Sequence, residues 1–448
     1  MLLPRHLLWN RPLLNLPRSN LTQSTHPKIP MSSPDLADSD RQGMRAALRQ
    51  AGLPEDDLQS VLKVLEGPNL SMGPQIEAFE KIFRDYSGAR HAIGVNSGTA
   101  GLHLCVRAAG IAPGDLVLTT PFSFVASANV ILFENAIPVF VDVDPRTGNL
   151  DVGRLAEAAR DLVAGGEKAR NRLPRKGVRA KQGTPKGYAS PLRAILPVDV
   201  FGQPADMDAI RQVADEFVLK VIEDSCEALG SEYKGHKAGC LGDYGVYAFY
   251  PNKQITTGEG GVIVTDDDQA ANLMRALRNQ GRAPGDTWLQ HTYLGYNYRL
   301  DEMSAALGVT QMQRIEELLA KREQVVKWYD ERLAETPGVE LYTVEPNTTR
   351  MSWFVYVVKF AKGVDRDGAA RALQARGIPV RPYFAPIHLQ PYMVERFGYR
   401  PGDFPVTEDL GARGLAIPFS SVMTEAMIEQ VCQAICQVLQ SSPKNESS

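Results

Sequence analysis

Residues 249–265 read FYPNKQITTGEGGVIVT. An apolar run, Gly245 to Tyr250, leads into one lysine, Lys253; a glycine cluster follows, and then a second apolar run, Val262 to Val264. Runs that are apolar at nearly every position suit strands covered on both faces. The same kind of run recurs at His91–Val95, Leu116–Thr120, Ile137–Val143, Ala194–Val200, Val218–Ile222, Gly245–Phe249 and Gly261–Thr265, alternating with helix-length segments. This alternation predicts an α/β domain around a mostly parallel sheet of about seven strands.

Outward from that core the pattern changes. Asp56–Glu66 predicts a helix with Leu58, Val61, Leu62 and Leu65 inward, and Pro74 opens a second with Ile76, Phe79, Ile82 and Phe83 inward. Arg314–Glu335 reads as a long helix. Strands are expected at Val339–Tyr342, Trp353–Phe360 and Ile378–Tyr383, with helices over Asp365–Arg376 and from Thr424 onward. The reading is therefore a large α/β domain over residues 41–310 and a smaller C-terminal α+β domain, with its linking helix, over 311–448. Residues 1–40 read as a disordered N-terminal extension. Pro4, Asn10, Arg11 and Pro12 interrupt the apolar stretch a signal peptide needs; a transit peptide stays open on composition, as does translation from Met31. Gly165–Arg193, rich in Lys, Arg, Gly and Pro, reads as a solvated loop inserted in the alternation, or as a phosphate-seeking flap.

Composition excludes several classes. A net charge of -3 gives no footprint for nucleic acid or an acidic membrane surface. Five cysteines, odd in number and mostly inside apolar runs, read as reduced core thiols of a cytoplasmic protein. No segment has the apolar length of a membrane span. The seven histidines are scattered without ligand spacing, so no metal site is expected.

Four stretches lie near the ends of expected strands, where open α/β sheets bind ligands. In VNSGTAGLHL, Ser97, Gly98 and Thr99 leave backbone N–H groups open to a phosphate at a helix start, or form an ordinary strand-to-helix turn with an N-cap. In PFSFVASANV, Phe122 and Phe124 can stack on a planar ring or fill the core. In VIEDSCEALG, Glu223 and Asp224 end a buried strand; Asp224 can hold a cationic ring nitrogen or cap the next helix. Lys253 can be a solvated side chain or, desolvated, a Schiff-base amine. Together the four meet the needs of pyridoxal 5'-phosphate (PLP).

The order of these motifs resembles fold-type I PLP enzymes and, more closely, the DegT/DnrJ/StrS family of nucleotide-sugar aminotransferases. NSGTAGLHL, PFSFVASANV, PVFVDVDPRTGNLD, VDVFGQPADMDAI, VIEDSCEALGSEYKG, FYPNKQITTGEGG, LGYNYRLDEMSAALG and PYFAPIHLQPY carry the resemblance, over roughly Leu53–Leu439. It implies that Lys253 is the Schiff-base lysine and proton shuttle and that Asp224 pairs with the pyridine nitrogen. It implies further that Phe124 stacks on the ring and that Gly98 and Thr99 hold the phosphate. Asn297 would reach the cofactor of a neighbouring subunit, which implies a homodimer with shared sites. Arg299, Tyr383 and His388 would line the substrate side. Two positions depart from the commonest pattern: Glu227 stands where many relatives have a cofactor-facing glutamine, and Ala248 where many have a phosphate-binding serine. A carboxylate at 227 would repel the ring's phenolate oxygen unless protonated or turned away.

The expected function is amine transfer from an amino acid, glutamate being the expected donor, to a keto group of a nucleotide-linked sugar, for polysaccharide or glycoconjugate biosynthesis. Three alternatives remain: transamination of a cyclic keto-polyol, a PLP-dependent sugar dehydratase, and a non-catalytic regulator on the same fold. Dehydratase relatives carry histidine in place of the lysine, so Lys253 argues against that reading, and the intact Lys253–Asp224 pair argues against the regulator.

Overall fold

A computed structural model describes residues 54–177 and 191–441, all within one compact unit. The expected extension over 1–40 and the 178–190 part of the basic stretch lie outside the described residues. The central sheet has seven strands: β1 (His91–Val95), β2 (Leu116–Thr119), β3 (Ile137–Phe140), β4 (Leu192–Leu196), β5 (Lys220–Asp224), β8 (Tyr244–Ala248) and β9 (Gly261–Thr265), with a short hairpin, β6 (Glu232–Tyr233) and β7 (His236–Lys237), between β5 and β8. The strand order is β1-β9-β8-β5-β4-β2-β3, and β9 alone runs antiparallel to its neighbours. Nearly every residue of the seven strands is buried, as unbroken apolar runs require in a sheet covered on both faces. β1 and β9 coincide with the runs expected from sequence; the other five differ at their ends, where solvent and loop geometry set the boundary.

A second sheet has the order β10-β12-β14-β13, from β10 (Val339–Glu340), β12 (Tyr356–Phe360), β13 (Arg381–Pro382) and β14 (Gly414–Ile417). β11 (Thr348–Arg350) joins the β6–β7 hairpin in a third. The helices Ile315–Leu333, Arg366–Ala375 and Glu425–Ser441 pack on the second sheet through Val325, Tyr329, Leu373, Ile428 and Ile435. β14 is absent from the sequence reading: four residues, GLAI, are too short a run to separate from a helix end.

Two local expectations are corrected. In the helix Glu55–Leu65, Asp57 and Val64 are buried while Leu62 and Leu65 are exposed. The face is set by Asp57, whose carboxylate receives Thr310 Oγ1 and Arg314 Nη2, each at 2.7 Å. The basic stretch is not wholly a solvated loop. Gly166–Arg172 is helical with Ala169 buried, Arg172 Nε lies 2.8 Å from Asp161, and Arg175 makes a two-pronged pair with Asp403 at 2.5 and 2.8 Å. Acids outside the stretch engage Arg172 and Arg175, which leaves a phosphate-seeking role for these two without support.

Candidate active site

The connection between β8 and β9 carries Lys253. The two strands pair antiparallel, with Ala248 opposite Gly261, so residues 249–260 must leave the sheet and return within one hairpin. Gly258 takes φ +80° in that turn, a conformation a side chain disfavours. Lys253 N–H donates to the Tyr250 carbonyl at 2.9 Å, and Thr257 N–H to the Phe249 carbonyl at 3.0 Å, which fixes the loop. The lysine side chain is only 12% exposed. Its Nζ sits 3.8 Å from the centroid of the Phe354 ring and 3.7 Å from Glu227 Oε1, an ion pair longer than a hydrogen bond.

Asp224 ends β5, is buried, and its Oδ2 accepts the Ser127 hydroxyl at 2.6 Å, while Oδ1 accepts the Cys226 N–H at 3.3 Å. Ser127 belongs to the first turn of the helix Ala126–Phe133, which also fixes the segment before it. There the structure separates the two aromatics: Phe122 is a fully buried core residue, and Phe124 is 63% exposed. The exposed ring at the end of a buried strand is the one free to stack on a planar ligand.

Ser97 caps the helix Gly98–Ala108, its Oγ accepting the Ala100 N–H at 3.1 Å. The Gly98 and Thr99 N–H groups therefore stand at the helix start, where a helix has no internal acceptors. A Cβ on Gly98 would lie 2.7 Å from the Ala248 methyl and 2.8 Å from Cys226 Sγ. Glycine at 98 and alanine at 248 thus bring the helix start against the ends of β5 and β8, and the methyl at 248 supplies packing rather than a phosphate hydroxyl.

Glu227 is buried, and burial raises its carboxyl pKa above the ordinary value while Lys253 pulls it back down. Its Oε2 accepts the Phe201 N–H at 2.9 Å and its Oε1 faces Lys253. One oxygen is therefore held by the backbone, and the other stands beside the Lys253 cation. Tyr383, half-buried, feels the Glu227 charge and contacts Asn252, so it lies on the same site. Gly98, Thr99, Phe124, Asp224, Glu227, Lys253 and Tyr383 thus gather at one end of β5 and β8.

Three residues are not brought to Lys253. Asn297 is exposed, between Tyr296 and Tyr298, whose rings stack at 4.9 Å; its carbonyl accepts Asn96 Nδ2 at 3.3 Å. Arg299 donates to Asn279 Oδ1 at 3.0 Å. His388 corrects the expectation of a substrate contact, because its side chain is fully buried, 3.0 Å from Glu408 Oε1 and against the Phe404 ring. The sequence reading also passed over Ser127, Phe354 and Arg322, whose positions follow from long-range packing. Arg322 alone left a trace, as an arginine on the apolar face marked by Leu319, Val325, Val326 and Tyr329.

His388 and His103 share a consequence. His103 is buried with its ring nitrogens 3.0 Å from Tyr298 Oη and 2.8 Å from Glu134 Oε1. Burial lowers both histidine pKa values. The unfolded chain then takes up protons, near the ordinary value of about 6.5, before the native chain does, so stability falls as pH drops through that value. Thermal unfolding followed from pH 7.5 to 5.5 should show the decline, at about 1.4 kcal/mol per pH unit for each group over its window. H388Q should flatten the slope relative to the parent; an unchanged slope would contradict the assignment.

A fold-type I sheet with a buried lysine, an acid at the adjacent strand end, an exposed aromatic and a free helix start defines a PLP-dependent transferase site. The chain belongs to the DegT/DnrJ/EryC1/StrS aminotransferase family, matched over residues 52–436, and is a PLP-dependent aminotransferase. It is 40% identical over 371 residues to GDP-perosamine synthase of Caulobacter vibrioides, covering 82% of this chain and 91% of that relative. It is 32% identical to the spore coat polysaccharide biosynthesis protein SpsC of Bacillus subtilis over 398 residues, 86% of this chain and 95% of that relative. Among solved structures it is similar to a DegT DnrJ EryC1 StrS aminotransferase from Brucella abortus, with TM-score 0.76 and 29% identity over 90% of this chain and 99% of that one. Among the described residues no helix is long and apolar enough to cross a membrane.

Proposed function

We propose that the protein transfers an amine from an amino acid, with L-glutamate the expected donor, to the keto carbon of a sugar carried on a nucleoside diphosphate. The observation that carries this reading is the buried Lys253 amine, 3.7 Å from Glu227 Oε1 just beyond the Asp224 end of β5. The substrate class rests on the relatives, among them the GDP-perosamine synthases of Caulobacter vibrioides and Vibrio cholerae. PLP, when bound, supplies an aldehyde that condenses with amines and a ring that accepts the electrons of a broken C–H bond.

The remaining work belongs to this chain. Lys253 Nζ takes a proton from the donor's α-carbon and returns one to the new amine-bearing carbon, the role of a positioned general acid–base. Asp224, fixed by Ser127, would keep a proton on the ring nitrogen of the bound cofactor. Phe124, exposed, would cover one ring face, and the Gly98 and Thr99 N–H groups at the helix start would receive the phosphate. Tyr383 borders the substrate, with Arg299 further out.

A homodimer with shared sites fits the exposed Asn297 and the exposed apolar side chains near it, Trp288, Leu289 and Leu294. Asn297 stands exposed between the two stacked tyrosines, where a partner subunit could meet it. The division into a PLP-binding part over 41–310 and a smaller part over 311–448 is part of the same proposal, as is a cytoplasmic setting. The test is incubation of the PLP-loaded protein with L-glutamate and a panel of nucleoside-diphosphate keto-hexoses, read by mass spectrometry. One amino sugar should form per 2-oxoglutarate released. Amination of a free cyclic keto-polyol, with every nucleotide sugar untouched, would overturn the substrate class.

A further inference from the structure

Arg322 lies on the helix Ile315–Leu333 and is 5% exposed. Its Nη2 donates to the carbonyl of Lys253 at 2.7 Å. Its Nη1 donates to the carbonyls of Trp353 at 3.2 Å and Phe354 at 3.3 Å. The Phe419 ring lies 5.3 Å from the guanidinium carbon, and Nε has no partner. Burial lowers the guanidinium pKa to about 10, with no carboxylate near enough to offset it among the described residues. A buried cation without an anion is costly, and an apolar side chain in the same stripe would avoid that cost.

The bonds form a closed circuit. From Arg322 the path runs to the Lys253 carbonyl and along the side chain to Nζ, then to Glu227 Oε1. Glu227 Oε2 accepts the Phe201 N–H, and the Phe201 carbonyl accepts the Phe354 N–H at 3.3 Å. The Phe354 carbonyl returns to Arg322. Every link joins segments far apart in sequence, and the amine is one member of the circuit. Phe354, the ring against which Nζ rests, is held at both its N–H and its carbonyl.

We infer that Arg322 is a positioning residue for Lys253: it ties the lysine's backbone to the segment carrying Phe354, and so sets where Nζ stands. The inference rests on the proposed role of Lys253 as the reacting amine. It follows that removing the tie slows chemistry at Nζ more than it weakens substrate binding. A displacement of about 1 Å at a reacting group can cost about 100-fold in rate.

The test uses the full-length protein, freed of cofactor and mixed with PLP. Borohydride is added at timed intervals, and the Lys253 peptide is weighed by mass spectrometry. The parent should carry cofactor on Lys253; a parent labelled elsewhere or not at all overturns the reading on which the inference rests. R322M, shown folded by circular dichroism, should be labelled at Lys253 about 10- to 100-fold more slowly, with kcat lowered and the KM for glutamate nearly unchanged. R322K, whose ammonium can reach one of the three carbonyls, should recover part of the rate. A folded R322M labelled at the parental rate would overturn the inference. Should R322M not fold, a folded R322K with parental labelling and kcat would overturn it equally.

Discussion

K253A loses turnover by a factor of about 10^4 or more, because one side chain serves both as attachment point and as proton carrier. Among the described residues the Phe354 ring and the Glu227 carboxyl lie against Nζ, and neither can replace the amine. The fold should survive. Removing the lysine leaves Glu227 buried, and a buried carboxyl without its cation protonates rather than stays charged. The stability loss is therefore expected below the roughly 3–5 kcal/mol of a stranded buried charge, provided unfolding is measured near neutral pH or below. Steady-state turnover and thermal unfolding on the same preparation check both parts. A K253A protein with parental turnover would sink the assignment.

The second large effect is at Asp224. D224A should lower kcat by about 10^2- to 10^3-fold, the usual loss when one preorganised charge partner is removed from a water-poor site. D224N separates charge from shape. Asparagine can still accept the Ser127 hydroxyl now held at 2.6 Å, so folding and Phe124 placement should persist. It cannot hold a proton on a ring nitrogen as an anion does, so its kcat should fall nearly as far as that of D224A. Parental activity in D224N would show that Asp224 acts through packing, by anchoring the helix Ala126–Phe133, and not through charge.

Sequence and structure agree most where a local pattern carries the information. The unbroken apolar runs at β1 and β9 gave their limits to the residue, because burial on both faces leaves no ambiguity of period. Lys253, Asp224 and Gly98 were legible because each stands at the end of such a run. Phe122 and Phe124 were not separable from the residues alone, and only the resemblance singled out Phe124: two residues apart in sequence, one enters the core and the other is exposed. His388 was misread for a related reason. Its neighbour Ile387 donates to the Pro121 carbonyl at 2.9 Å, a long-range tie that draws the histidine under the surface. Arg322 shows the limit most clearly. Its position in an apolar stripe was visible, but the three carbonyls that give the charge a purpose come from two other segments.

The proposed function requires Lys253 to hold PLP in a form that takes an amine from an amino acid. The most direct measurement is the visible absorbance of the purified protein with PLP, taken before and after addition of L-glutamate. A band should form with PLP, be absent in K253A, and bleach with glutamate. A band that forms equally in K253A, or no band in the parent protein, would contradict it.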